Sequence, residues 1–405
     1  MTTSYRPLKY YAFPLLLIAS ILLGGLVGCF LPQYAQPLKP LGDIFLNLIF
    51  TAIVPLIFFS VASAIARAGS LQKLGKIIFY MAIVFVFTGL IAAFFALTAV
   101  VLFPPAQGIY LPLSSAEKIT AVSLSNQIAT IFTVSDFSKL LSHENMLALI
   151  VFSILVGFAT SSTKNEKAKS FLTSGEEIFM RVFTIIMYYA PIGFFAYFAV
   201  LVSQLGAKLI ESYLRVAIIY YVIALIYFFI AYTWYAYLAA KKTGVKLFWK
   251  NIFLPMITAI ATCSSAASLP ANLAATKNMR VSAEIYETVV PLGTMIHKDG
   301  SVIGGVIKIA FLFGIFHLNF TSPSVLFTAL GVSLLVGTVM GAIPSGGMLG
   351  ELLILTVYGF PPSVLIIIAA ISIIIDPPAT LLNVTGNSVS SMMIARLVDG
   401  KWWWK

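Results

Sequence analysis

A polar stripe interrupts the last oily stretch of this chain. The segment from Ser363 to Ile375 is apolar enough for lipid, and it runs into Asp376-Pro-Pro-Ala-Thr-Leu-Leu-Asn383-Val-Thr-Gly-Asn387. On a helix, Asp376, Ala379 with Thr380, Asn383 and Asn387 recur every three to four residues and share one face. An ionisable residue at membrane depth costs about 2.5–3.5 kcal/mol on insertion scales, so a substrate or ion site is the first reading of such a stripe. A row of helix–helix hydrogen bonds is the plainer one. Pro377-Pro378 are expected to open the backbone beside Asp376. Lys308 and Glu351 are further ionisable residues in apolar arms, and Glu351 is a secondary candidate for binding a proton.

The elements that must position these groups are membrane helices. Of 405 residues, 60% are hydrophobic and only 10% charged, and the mean hydropathy is +1.00. A soluble domain carries about 25% charged residues, so an all-α polytopic membrane protein is expected. Met1 to Tyr10 reads as a short basic lead-in to a span, with no cleavable signal needed. Cys29 and Cys263 suggest neither a disulfide framework nor a metal cluster, and nothing calls for a cofactor. The net charge of +11 does not point to nucleic acid, because the basic residues sit in short loops.

Hydropathy gives spans near 11–31, 42–66, 77–103, 143–162, 178–203 and 214–239, then segments 250–276, 283–315, 323–358 and 362–397. Arg6 and Lys9 precede the first span. Arg67, Lys73 and Lys76 follow the second, and Lys164, Lys167 and Lys169 the fourth. Lys241, Lys242, Lys246 and Lys250 follow the sixth, and Arg396, Lys401 and Lys405 close the chain. Every second loop is basic, which places both termini in the cytoplasm of a multi-pass inner (plasma) membrane protein. Trp402-Trp403-Trp404 reads as an anchor at the bilayer interface.

Two segments do not read as ordinary spans. Ala261-Thr-Cys-Ser-Ser-Ala-Ala-Ser-Leu-Pro270 and Gly337-Thr-Val-Met-Gly-Ala-Ile-Pro-Ser-Gly-Gly347 are small-residue tips with a proline, flanked by short apolar arms. Such arms fall short of a 30 Å bilayer, so hairpins that enter and return fit them; kinked ordinary helices are the alternative. Exposed backbone at a tip is tolerated only inside protein or beside a wet cavity. Two hairpins, each followed by a long helix, form a pair of inverted repeats, the sequence pointer to a transporter site.

With these pieces in place the chain resembles the glutamate transporter homologue family, the dicarboxylate/amino acid:cation symporters. The likeness covers essentially the whole chain and is sharpest at Ser264-Ser-Ala-Ala-Ser-Leu-Pro270, Pro291-Leu-Gly-Thr-Met-Ile-His-Lys-Asp-Gly-Ser301, Gly341-Ala-Ile-Pro-Ser-Gly-Gly347 and Asn383-Val-Thr-Gly386. The resemblance implies eight transmembrane helices plus two re-entrant helical hairpins, a homotrimer in a lipid bilayer, and an elevator-type mechanism. Residues 1–76 would hold scaffold helices 1 and 2, and 77–142 the third helix, of the transport domain, with its loop. Residues 143–239 would hold helices 4 to 6, the first two scaffold and the sixth transport domain; 240–405 would be the core transport domain. The resemblance also implies a small amino acid substrate with its amine on Asp376 and its carboxylate on Asn383, aided by Ser264, Ser265 and the first tip. Ala379, Thr380 and Ser301 would lie beside it, with free backbone around Gly300 and at Ile343, Pro344, Ser345 and Gly346 closing over it.

The departures from the family's pattern sharpen the reading. The arginine that grips an acidic side chain is replaced by Ala379, and its alternative, before the serine run, by Cys263. Without a bidentate guanidinium a second carboxylate has no obvious partner, so small neutral amino acids are expected. The family's asparagine-methionine-aspartate-glycine-threonine run reads His297-Lys298-Asp299-Gly300-Ser301. A carboxylate that helps hold sodium is replaced by Asn387, and a threonine–serine pair of the third helix by Val84-Phe85, which offer no side-chain oxygen. Transport without sodium is therefore expected, with Lys298 in the cation's place and Asp299 as its counter-charge. A lysine snorkelling to the interface is the bland alternative. His297 reads either as a proton carrier or as an ordinary core histidine.

Other classes fit less well. A sodium- or proton-coupled symporter of acidic amino acids or dicarboxylates is the runner-up. An ion channel would need a repeated filter, which is absent. An enzyme would need an oriented nucleophile–base pair, and Ser264 or Ser265 with His297 is only a crude candidate.

Overall fold

A computed structural model describes residues 8–67, 72–106, 133–142, 145–163, 165–205, 208–339 and 347–404. The main helices are α1 (Leu8–Phe30), α2 (Lys39–Arg67), α3 (Gln72–Leu102), α4 (Met146–Thr163), α5 (Glu166–Leu205), α6 (Lys208–Asn251), α7 (Phe253–Thr262), α8 (Leu269–Asn278), α9 (Ala283–Ile296), α10 (Asp299–Ile315), α11 (Pro323–Val339), α12 (Gly347–Tyr358) and α13 (Leu365–Val398). No strand occurs among the described residues. Four stretches are long and apolar enough to cross a membrane: Gly75–Leu102, Glu166–Ser203, Glu211–Asn251 and Pro362–Val398. Shorter apolar runs lie at Leu16–Phe30, Val54–Ser63, Ala148–Thr163 and Pro323–Thr338.

Packing separates two groups of helices. α1, α2, α4 and α5 pack on one another, while α3, α6 to α9, α11 and α12 gather around α10 and α13. Within its most apolar window α13 is 72% buried, against 39% for α3 and α6, so the polar stripe sits on the most buried of the four long stretches. The outer faces of α3 and α6 carry Phe79, Ile83, Phe94, Leu214, Ile218, Leu225 and Phe229, all exposed. In a protein this apolar such a surface faces lipid.

The first unusual segment folds as two short arms. α7 and α8 have 10 residues each, roughly 15 Å of helix, half a bilayer's hydrocarbon depth. The first arm ends at Cys263, whose left-handed φ of 47° turns the chain into the serine tip. α11, with 17 residues, and α12, with 12, flank the second expected tip; that tip, with Ile343, Pro344, Ser345 and Gly346, lies outside the described residues.

Two details depart from expectation. α13 runs as one helix through Pro377 and Pro378, so the backbone does not open at Asp376. Pro378 lacks the N–H that would bond the Ile374 carbonyl, and the Tyr221 hydroxyl donates to that carbonyl instead, at 3.2 Å. Conversely, α6 breaks at Ala240 and Lys241, whose backbone angles are not helical. The carbonyl of Ala239 at this break accepts from Trp403 Nε1 at 3.1 Å and Arg396 Nη1 at 3.5 Å. Lys76 donates to the Val398 carbonyl and Arg280 to that of Trp404. Basic segments from four parts of the sequence thus meet at one end of the bundle.

Candidate functional site

The centre of the site is a break between two helices. α9, with Pro291 inside it, ends at Ile296, and α10 begins at Asp299. His297 and Lys298 between them have extended, non-helical backbone. The first amides of α10 are capped from α13. Gly300 N and Ser301 N donate to Asn383 Oδ1 at 3.0 and 3.3 Å, and Asn383 Nδ2 donates to Ser301 Oγ at 3.2 Å. This is the work of an N-cap side chain, supplied by another helix. The Gly300 carbonyl accepts from the Tyr220 hydroxyl at 2.7 Å, so the backbone expected to be free at Gly300 is engaged on both sides. Only glycine fits there, since a Cβ would lie 2.4 Å from the Ala379 carbonyl oxygen. Ala379 is buried; its backbone serves as the seat of α10.

The stripe on α13 forms as the spacing implies. Thr380 Oγ1 donates to Asp376 Oδ1 at 3.1 Å. Asp376 itself is half-buried, and Lys298, Lys308 and Cys263 lie within its electrostatic reach. The first hairpin therefore approaches Asp376 with its tip, where Ser264 and Ser265 are half-buried. Ser264 Oγ accepts from the Ala267 amide at 3.2 Å. The second arm is fastened to α13: Asn272 Nδ2 donates to the Val384 carbonyl at 2.8 Å, and Ser388 bonds both Thr276 and Asn272.

One turn deeper, His297 is enclosed. Its ring stacks on Phe85 at 4.1 Å between centroids and 15° between planes. Nδ1 lies 2.9 Å from Asn387 Oδ1 and Nε2 2.7 Å from Thr88 Oγ1. Asp299 Oδ1 is 3.2 Å from Nε2 but accepts no hydrogen bond. Asp299 Oδ2 accepts from Tyr227 at 3.0 Å and Tyr232 at 3.4 Å, and Tyr227 and Tyr235 share a hydrogen bond of 3.0 Å. The expected Lys298–Asp299 pair does not form; the partner of Asp299 is His297, because the extended linker directs the two neighbouring side chains to different sides. The third helix also supplies an oxygen after all: Val84 and Phe85 give none, but Thr88, one turn further, reaches the histidine.

Glu351 is not a lone carboxylate. Its Oε1 lies 2.9 Å from Lys308 Nζ, and Ser372 bonds both groups. The sequence singles out Lys308 only as an ionisable residue in an apolar arm, and Thr88, Asn272, Thr276, Ser372 and the tyrosines 220, 227, 232 and 235 not at all. The tyrosine spacing does place all four on one face of α6, a signal that aromatic residues in a membrane helix easily hide.

An apolar helical shell around a polar helix break, with charged groups held out of lipid, defines a membrane carrier of small polar solutes. The chain matches the sodium:dicarboxylate symporter family over residues 13–397, and it belongs to that family. It is 28% identical, over 93% of its length and 92% of the relative's, to the proton/sodium-glutamate symport protein of Bacillus caldotenax. It is 26% identical to the proton/glutamate-aspartate symporter of Bacillus subtilis, over 96% and 95%. It is 25% identical to C4-dicarboxylate transport protein 1 of Ralstonia nicotianae, over 93% and 90%. The chain is thus a multi-pass secondary transporter of the membrane.

Proposed function

We propose that this transporter carries small neutral amino acids, such as alanine, serine or threonine, with the substrate amine on Asp376, and that it does so without sodium. The observation that carries the substrate reading is the composition of the site wall. Ala379 and Cys263 stand beside Asp376 with no guanidinium between them, so a side-chain carboxylate lacks the planar fork that would grip it. The glutamate, aspartate and dicarboxylate substrates in the relatives' names support the runner-up, an acidic amino acid or dicarboxylate symporter coupled to sodium or protons. Lys298 and Lys308 near Asp376 are the feature that favours it.

Sodium independence rests on the ground around Asp299. Sodium needs several oxygen ligands to replace its hydration shell; here an imidazole stacked under a phenyl ring fills that ground, and Asn387 faces the imidazole. Lys298, expected in the cation's place, lacks Asp299 as a partner, so His297, 3.2 Å from Asp299, is the better tenant of that position. In this reading α1, α2, α4 and α5 are the scaffold of a homotrimer and α3 with α6 to α13 the moving domain. The scheme has eight spans plus two hairpins and cytoplasmic termini.

The test is uptake of labelled serine, aspartate and succinate into proteoliposomes in sodium or choline buffer at equal ionic strength, with proton gradients imposed separately. Serine uptake equal in both salts is expected. Uptake of aspartate or succinate alone, driven by sodium, would defeat the reading.

A further inference from the structure

We propose that Lys298 binds the substrate's α-carboxylate, so that a zwitterion is held between the ammonium of Lys298 and the carboxylate of Asp376; this rests on the amino acid reading above. Lys298 is only 7% exposed, and its ammonium makes no hydrogen bond or ion pair among the described residues. The neighbouring buried charges have partners: Lys308 has Glu351 and Ser372, and Asp299 accepts from Tyr227 and Tyr232. A buried ammonium without acceptors is costly, and a ligand that completes its hydrogen bonds removes that cost.

Its place in the fold says which ligand. Lys298 is the residue immediately before α10. The N-terminus of that helix, with Gly300 seated on Ala379, adds its own partial positive charge toward an anion. The carboxylate in its electrostatic reach is Asp376, yet no direct ion pair joins the two. Asp376 uses one oxygen for Thr380, and the other has no donor among the described residues. One unpaired cation and one half-used anion within electrostatic reach of each other suit a molecule that carries both charged groups on a single carbon, as every α-amino acid does. Asn383, expected to take the carboxylate, has its oxygen committed to two backbone amides and one amide hydrogen to Ser301, so it has a single donor left to offer.

The experiment compares ligands that lack one charge. Serine, ethanolamine (amine without carboxylate) and glycerate (carboxylate without amine) are titrated by calorimetry into the purified full chain. The proteins are wild type, Lys298→Met, Lys298→Arg and Asp376→Asn, each checked for monodispersity and thermal unfolding. Loss of one charge-assisted contact is expected to weaken serine binding by about 10- to 100-fold in Lys298→Met. Ethanolamine should bind that variant as it binds wild type, and Lys298→Arg should recover part of the serine affinity. Wild-type serine affinity in Lys298→Met would overturn the assignment. So would an equal loss for serine and ethanolamine, which marks a group that only neutralises Asp376 or supports the fold. If wild type binds aspartate or succinate but no serine, the neutral-substrate reading falls. The carboxylate assignment then stands if Lys298→Met weakens that ligand and falls if it does not.

Discussion

Lys308 and Glu351, 43 positions apart, form an ion pair of 2.9 Å in which the two residues are 2% and 0% exposed. The pair ties α12 to α10, and Ser372 ties both to α13 one turn before Asp376. Breaking a buried pair by removing one partner costs about 3–5 kcal/mol, because a charge is stranded, while replacing both with apolar residues is often neutral or stabilising. Lys308→Met and Glu351→Leu should therefore each lower the unfolding temperature in detergent sharply. The double variant should recover most of the loss. A double variant as unstable as the sum of the singles would mean that the pair contributes nothing as a pair.

Gly300 and Gly331 make a matched test of close helix approach. A Cβ at Gly300 would meet the Ala379 backbone at 2.4 Å, whereas nothing lies within 4 Å of one at Gly331. Gly300→Ala should destabilise by about 1–3 kcal/mol through overpacking and weaken substrate binding. Gly331→Ala, within α11, should stabilise by up to about 1 kcal/mol with transport unchanged. Equal, small effects at both sites would contradict the packing of α10 on α13.

Asn383 is predicted to act as a cap as well as a site residue. Asn383→Ala removes the acceptor of the Gly300 and Ser301 amides and should cost about 1 kcal/mol, while Asn383→Asp, which keeps an oxygen there, should cost less. Thermal unfolding of the two variants without substrate isolates this from any ligand effect. The reverse order of stability would show that the cap carries no weight.

The parts of this site that lie on one helix are legible in the sequence, and those made between helices are not. Asp376, Thr380, Asn383 and Asn387 follow from a repeat of three to four residues. The interruption at His297-Lys298 lies inside 283–315, which hydropathy reads as one segment, and only the resemblance points to free backbone nearby, around Gly300. What the repeat cannot give is the partner: Asp299 could face Lys298 or His297 equally well until tyrosines from α6 fix it. The prolines mislead for a related reason, since Tyr221, about 150 residues away, satisfies the carbonyl that Pro378 frees. The two short arms of the first hairpin were readable from their length, but Asn272 and Thr276, which fasten the second arm to Ser388, look like ordinary loop-side polar residues until α13 lies beside them.

His297 should leave the carrier indifferent to sodium even when it is removed. His297→Asn takes away the ring but leaves Phe85 and Asn387 in place, so two of the departures that argue against a sodium site remain. Substrate affinity titrated against sodium at constant ionic strength should be flat for wild type and variant alike. A steep rise with sodium in the variant alone would show that the imidazole by itself blocks an otherwise intact site.

The central claim is that Asp376 anchors the amine of a neutral amino acid. It is tested most directly by calorimetric titration of serine into purified wild type and Asp376→Asn, in sodium and in choline. The substitution keeps the side chain's size and a hydrogen-bond acceptor for Thr380, so the fold should survive while the charge is lost. Equal serine binding by wild type in both salts, and none detectable in Asp376→Asn, is the predicted result. Serine binding of unchanged affinity in a well-folded Asp376→Asn would contradict it.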